Sequence, residues 1–281
     1  MLRIRTMRRS DIPFAVQISN AEKWGIPSSD FQRILRLDPR GSFIATKENK
    51  KVGLATSVSF GKEVAWIGNV VVDSRFRGRH LGQLLVIYAL TYLKKRHVKH
   101  VALYCFDKNI GFYRKLGFAK GKPFVRMRWK PNKQPESPPG VISRQTLTQA
   151  LALDRKAFGA DRSRLIRDWL NLKGASMIGI SRGHASSYML LRDYDDICEI
   201  GPWIAVRATE KQLGSLLRAA LVASDRRPVE VSVSLHNVRA VNLFKRHRFH
   251  AIKTGTSMYF DKVPKMGSPA AVFALGFLDK G

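Results

Sequence analysis

The sequence predicts an α/β (α+β) protein built from two similar units, on three observations. Strand and helix signals run through the chain twice in the same order. A proline-rich stretch, Lys130-Pro-Asn-Lys-Gln-Pro-Glu-Ser-Pro-Pro-Gly140, divides the chain near its midpoint and carries no aliphatic residue. Finally, Phe112-Tyr-Arg-Lys-Leu-Gly-Phe118 in the first half has a counterpart, Leu243-Phe-Lys-Arg-His-Arg-Phe249, in the second. Two diverged copies of one unit is the economical reading, and 281 residues suffice for two ordinary cores. The expected division is a unit at 1–130, an extended linker at 131–140 and a second unit at 141–281.

The elements of the first unit follow in order. Residues 2–6 alternate apolar and basic, as a half-exposed strand does. Ser10-Asp-Ile-Pro opens a helix, with Ser10 as N-cap and Pro13 in the first turn. Ser28-Ser-Asp opens a second helix, which runs to about Leu37. Residues 42–46 and 52–60 read as strands joined by the polar turn Glu48-Asn-Lys-Lys51, and 64–72 as a fourth strand. A third helix begins near Gly82, with apolar residues at 81, 84, 85, 88, 92 and 93 on one face. It ends in Lys94-Lys95-Arg96, which suits the negative end of its dipole. A strand at 101–106, a short helix at 110–116 and a strand at 124–129 close the unit. In the second unit, helices are expected at 145–157 and 161–172 and strands at 176–182, 185–192 and 197–206. A helix at 209–224, a strand at 229–234, a helix at 238–247 and a strand at 251–260 follow, with one more strand at 272–277.

Composition bounds the function. The chain is 44% hydrophobic and 25% charged, ordinary for a globular protein, but 50 Lys+Arg against 21 Asp+Glu leave a net +29. Residues 1–140 hold 28 basic and 9 acidic side chains, so the first half carries about twice the excess of the second. That surplus suits either a polyanionic partner such as nucleic acid or a generic basic surface, and no nucleic-acid-binding motif accompanies it. Two cysteines, Cys105 and Cys198, make no disulfide framework and no zinc spacing. The arginines at the N-terminus have no apolar run behind them, and no stretch is long and apolar enough to span a bilayer. A cytoplasmic protein with no metal and no membrane partner is the expectation.

The chemistry concentrates in Gly68-Asn-Val-Val-Val-Asp-Ser-Arg-Phe-Arg-Gly-Arg-His-Leu-Gly82. A β-branched strand ends in Asp73-Ser74, a basic glycine-bearing loop follows, and an amphipathic helix begins. Such a loop presents backbone N–H groups at a helix N-terminus, where they can hold a pyrophosphate. About thirty residues on lies Tyr113, in a short helix. In that order and at that distance, the two segments resemble the acetyl-CoA site of the GNAT N-acetyltransferase superfamily, whose loop reads Arg/Gln-x-x-Gly-x-Gly/Ala. Arg77-Gly-Arg-His-Leu-Gly82 matches except that His80 replaces the middle glycine; the register Arg75-Phe-Arg-Gly-Arg-His80 has one mismatch as well. His80 then either points away from the pyrophosphate or contacts a CoA phosphate.

The resemblance implies two copies of a mixed, mostly antiparallel central sheet flanked by helices. It implies acetyl-CoA as cosubstrate, held by Arg77, Gly78, Arg79, His80, Leu81, Gly82 and Gln83. The strand before the loop, with Val70, Val71 and Val72, would splay from its neighbour so that its main chain holds pantetheine; those valines are equally ordinary core residues. Tyr113 falls where the family places a proton donor for the thiolate, though a tyrosine packed beneath a helix reads the same way. The family's Asn seven residues earlier is here Phe106. The strand at 66–72 carries no carboxylate to act as general base. Glu22 and Asp30 flank Trp24 in the segment that borders the acceptor groove in this superfamily, and could bind a cationic amine; Glu22 as a surface residue and Asp30 as a helix N-terminal acid are the plain alternatives.

The second unit lacks the glycine loop. Phe244 stands where Tyr113 stands, Arg248 replaces the glycine, and Asn237 keeps the family's Asn spacing. The expectation is a tandem acetyltransferase whose first unit moves an acetyl group to a primary amine on a small molecule or peptide, supported by a second unit that has lost the phosphate cradle. The rival is a non-catalytic protein that responds to acyl-CoA or binds RNA.

Overall fold

The computed structural model describes residues 1–131, 146–182, 185–194 and 196–281. The expected linker at 131–140 lies outside them apart from Pro131. In the first half the described elements are β1 (Leu2–Thr6), α1 (Ile12–Ala21), α2 (Ser28–Leu37), β2 (Ser42–Lys47), β3 (Lys50–Phe60), β4 (Val64–Val72), α3 (Leu81–Lys95), β5 (His100–Phe106), α4 (Ile110–Arg114) and β6 (Phe118–Trp129). In the second half they are α5 (Leu147–Phe158), α6 (Ser163–Leu170), β7 (Ala175–Arg182), β8 (Ala185–Asp193), β9 (Cys198–Val206), α7 (Glu210–Ala223), β10 (Val229–Ser234), α8 (Val238–Arg246), β11 (His250–Phe260) and β12 (Val272–Ala274).

The two halves share one sheet, in the order β1-β2-β3-β4-β5-β11-β6-β10-β9-β8-β7, with β12 added on β9. Within it the neighbours β4–β5 and β9–β10 are parallel and the others antiparallel. The halves exchange a strand at the centre. β5 pairs with β11 of the second half, and β6 of the first half stands between β11 and β10. Each half therefore completes the sheet of the other.

Side-chain alternation sends alternate residues of each strand to opposite faces. In the first half one face carries α1 and α2 over a core that includes Phe31, Ile34, Leu54 and Trp66. The other face carries α3 over Leu85, Ala89, Leu103 and Tyr113. The start of α1 differs in detail from the sequence reading. Ser10 lies in a one-turn 3₁₀ lead-in at Arg9–Asp11, and buried Asp11 is the organising group. Its carboxylate accepts from Arg5 at 2.7 and 2.8 Å and from the Arg8 amide at 2.8 Å, and pairs with Lys51 at 2.8 Å. These contacts tie β1, α1 and β3 together, and Arg5 first among them holds the Asp11 carboxyl well below its usual range.

Candidate active site

β4 and β5 pair only from Val64↔His100 to Trp66↔Ala102 and then diverge. The cause lies in β4. Between the pairs Thr56↔Gly68 and Leu54↔Val71 its register slips, and Asn69 adopts a left-handed conformation at φ 51°. This β-bulge bends the strand away from its neighbour. It also flips the alternation. Trp66 packs toward α1 and α2, yet beyond the bulge Val71 does so too, while Val70 and Val72 turn to the α3 face. The Asn69 amide fixes the bulge by donating to Thr56 Oγ1 at 3.1 Å.

The loop after β4 leads into a helix N-terminus that no side chain caps. The Asp73 carboxylate accepts from the Arg75 amide at 3.0 Å and turns the chain. Gly78 has φ 74°, which glycine adopts without strain, and His80 follows at φ 59°. No side chain caps α3. The first-turn N–H groups of a helix have no intrahelical partner, which makes such an uncapped end a place where an anion can sit. The His80 ring sits 3.0 Å from Gln83 Oε1, on the exposed side of the loop. Arg77 bends back, donating from Nε to the Val72 carbonyl at 3.0 Å and pairing with Glu22 at the end of α1. Arg79 lies exposed, its guanidinium 5.8 Å from the Phe76 ring.

A cleft of about 380 Å³ runs from this loop along the α3 face of β4, between Val70, Val72, Phe76 and Gly82 on one side and Asn109, Phe112 and Tyr113 on the other. Tyr113 is 8% exposed, edge-on to Phe112 and Phe118. Burial, then the neighbouring Cys105, push its phenol well above the usual range, so it stays protonated. Phe76, Asn109 and Phe112 were not singled out from the sequence. Asn109 carries the most legible signal of the three, as the asparagine that lines the cleft where position 106 offers phenylalanine.

The expected acceptor residues are not brought together. Glu22 is taken by Arg77 at the cleft mouth, and Trp24 is 41% exposed on the loop beyond α1. Asp30 is buried and turned away from both. It pairs with Arg192 at 2.7 Å and Arg33 at 3.2 Å, with Lys280 at 3.8 Å. Burial opposes its charge, but Lys280, Arg33 and Arg192 together hold its carboxyl below the usual range. Asp30 is thus a structural anion between the halves.

The equivalent groove of the second half is filled by the protein itself. β9 and β10 pair from Cys198↔Val229 to Ile200↔Val231 and then part, and β12 enters the gap, pairing with β9 at Trp203 and Ile204. The Leu275 amide donates to the Ser232 carbonyl of β10 at 2.8 Å, and a Cβ at Gly201 would collide with the Leu275 carbonyl. Asn237 donates to the carbonyls of Ala270 and Val272 at 3.2 and 2.8 Å. Phe273 and Phe244 fill the space around Trp203. The helix that follows, α7, closes its own N-terminus with a Thr209–Gln212 capping box.

Comparison with known proteins agrees with this duplicated architecture. The profile of the acetyltransferase (GNAT) family matches residues 5–118, and that of an acetyltransferase (GNAT) domain matches residues 150–271. The chain belongs to the GNAT acetyltransferase family. A holothin acyltransferase from Pseudoalteromonas is 24% identical over 266 residues, covering 93% of this chain and 88% of that protein. Two solved structures share the GNAT fold over nearly the whole chain. A provisionally assigned acetyltransferase from Pyrococcus horikoshii superposes with a TM-score of 0.79 at 22% identity, covering 100% of this chain and 96% of that one. A tandem GNAT protein from the clavulanic acid biosynthesis pathway superposes with a TM-score of 0.70 at 12% identity, covering 94% and 100%. The chain is accordingly a tandem GNAT acyltransferase, a family that uses acyl-CoA donors. Among the described residues no group of His, Cys, Asp and Glu is placed to hold a metal, and no helix is long and apolar enough to cross a membrane.

Proposed function

We propose that the first half transfers an acetyl group from acetyl-CoA to a primary amine, on a small molecule or a peptide, by direct attack within a ternary complex. The observation that carries this reading is the coincidence, in one cleft, of an uncapped helix N-terminus, a splayed strand with free main-chain groups, and a buried protonated phenol. The amides of the first turn of α3, with Gly78 before them, hold the pyrophosphate. The main chain of β4 at Val70–Val72 runs along the pantetheine, and its N–H groups polarise the thioester carbonyl as charge builds on oxygen. Tyr113 gives its proton to the departing thiolate. A cytoplasmic location goes with this reading, supported by two buried cysteines that form no disulfide.

The test is release of free CoA from acetyl-CoA in the presence of a panel of primary amines, with mass spectrometry of the acetylated product. Thiol release that depends on amine supports the reading. No amine-dependent release, with CoA bound, would leave the protein a CoA-binding rather than a transferring one.

A further inference from the structure

β12 does not end the chain's role in the sheet. From the groove of the second half the chain continues through Phe277 into the α1/α2 face of the first, beside the gap between β4 and β5. A Cβ at Gly68 would collide with the Asp279 carbonyl, and the Asn69 amide, on the bulge itself, donates to Asp279 Oδ2 at 3.2 Å. Lys280 Nζ lies 2.5 Å from the same oxygen. Arg162, paired with Asp154 at 2.6 Å, anchors the segment by donating to the Gly281 carbonyl at 2.8 Å.

Three features single out Asp279. It places a carboxylate on the bulged strand that the sequence shows to have none of its own. The carboxylate is 23% exposed, and Oδ1 has no hydrogen-bond partner among the described residues. The Asp279 carbonyl meets Gly68, just past Trp66 where β4 and β5 stop pairing, and Gly281 close by packs on Trp66, whose face of the sheet is opposite that of Tyr113. Attack on a thioester carbonyl needs a proton acceptor on the nucleophile's side and a proton donor on the leaving group's side, and the two faces of the splay provide one of each. The charged and titratable groups around Asp279 are Lys280, Asp30 and Arg33 of α2, Arg192 of β8, and Tyr194 just after it.

We propose that Asp279, supplied by the second half and oriented by Asn69, accepts the proton of the attacking amine. The inference rests on the function proposed above. The neutral amine nitrogen bonds to the thioester carbon, and its surplus proton passes to Asp279 Oδ1. The tetrahedral adduct collapses with loss of the C–S bond, and the thiolate takes the Tyr113 proton. Asp279 then releases its proton to solvent and Tyr113 regains one, leaving amide and CoA thiol. The second half is retained, on this account, because its tail both fills its own groove and completes the other.

The test compares wild type with Asp279→Asn, which keeps the shape and removes the base, and with Asp279→Glu. The probes are acetyl-CoA with spermidine, tyramine and a lysine-containing peptide, using whichever wild type acetylates fastest. Near pH 7, Asp279→Asn should lower kcat by about 10²–10⁴-fold with unchanged CoA affinity. The deficit should shrink to within about tenfold near pH 10, where hydroxide is abundant enough to take the surplus proton of the adduct in place of Asp279. Asp279→Glu should recover part of the loss. An Asp279→Asn enzyme with wild-type kcat, or with the same deficit at every pH, overturns the proposal and leaves the acetyltransferase reading intact. Absence of amine-dependent turnover in wild type overturns both. Should Asp279→Asn fail to bind CoA, Asn69→Ala takes its place; a kcat loss that fades at high pH supports the assignment, and an unchanged kcat contradicts it.

Discussion

The Asn237 side-chain amide donates to the Val272 carbonyl at 2.8 Å, and so helps to seat β12 in the gap between β9 and β10. The same Asn also binds the Ala270 carbonyl and, through its Oδ1, caps α8 at the Ala240 amide at 3.0 Å. It is a structural clamp on a strand that lies where the first half keeps its open cleft. Asn237→Ala should cost about 1–3 kcal/mol, because it strands carbonyls and a helix end at a site that is nearly closed to water. Denaturant melts check the loss. Acetyl-CoA affinity of the surviving folded protein should be unchanged, since the cleft of the first half is lined by none of these residues.

Tyr113→Phe keeps the ring packed against Phe112 and Phe118 and deletes only the hydroxyl. Turnover should fall by about 10²–10⁴-fold with little change in CoA affinity. Because burial raises the phenol, wild-type activity should show no loss from Tyr113 ionisation below about pH 10, the usual tyrosine value. Steady-state kinetics over pH checks both; a Phe variant as active as wild type would reassign Tyr113 to packing.

Cys105 and Cys198 are buried, and burial, reinforced by Asp107 and Asp193 respectively, pushes each thiol up to about 12. Neither should react with iodoacetamide at neutral pH in the folded protein, as mass spectrometry of intact and denatured samples would show. The sign of the linkage follows. The stabilisation from keeping these thiols neutral is full below the unfolded thiol value of about 8.5 and is lost as pH rises toward about 12. Replacing both by Ser should flatten the alkaline decline in stability.

Arg126 and Arg128, part of the basic excess of the first half, are not a free nucleic-acid surface. Arg126 donates to Glu230 at 2.6 Å and Glu199 at 2.8 Å, and Arg128 also binds Glu230, across the seam between β6 and β10. Arg126→Glu should therefore unfold or strongly destabilise the protein, by about 3–5 kcal/mol, by replacing the cation that Glu230 and Glu199 share with a third carboxylate. If RNA binding is present, its salt dependence should be carried by arginines without such partners. A folded Arg126→Glu protein that specifically loses RNA affinity would contradict this.

Much of the fold was legible because its signals are local. The run Val70–Val72 stopped by Asp73-Ser74, the three-four spacing in α3, and the paired segments at 112–118 and 243–249 each specify an element within a few residues. What escaped depends on partners far apart in sequence. Arg126 and Arg128 count in the sequence only toward the basic excess, and the structure puts Glu230 on the neighbouring strand against them. Asp30 read as a helix N-terminal acid or a substrate ligand, because Arg192 and Lys280 come from the other half. The exchange of β6 and β11 has no local signature, since each is an ordinary strand whichever sheet it completes. The bulge at Asn69 was equally silent, and with it the reason that Val70 and Val72, but not Val71, line the cleft.

The central claim is that one donor site exists per chain, in the first half. Calorimetric titration of the full chain with acetyl-CoA tests it most directly, alongside Gly82→Asp. A Cβ at Gly82 meets Phe112 at 3.4 Å and Val72 at 3.8 Å, both ordinary contact distances, so the variant should fold, yet it sets a carboxylate where the pyrophosphate would lie. The account predicts one acetyl-CoA per chain for wild type and no measurable binding for Gly82→Asp. Two sites per chain, or an unchanged affinity in the variant, would contradict it.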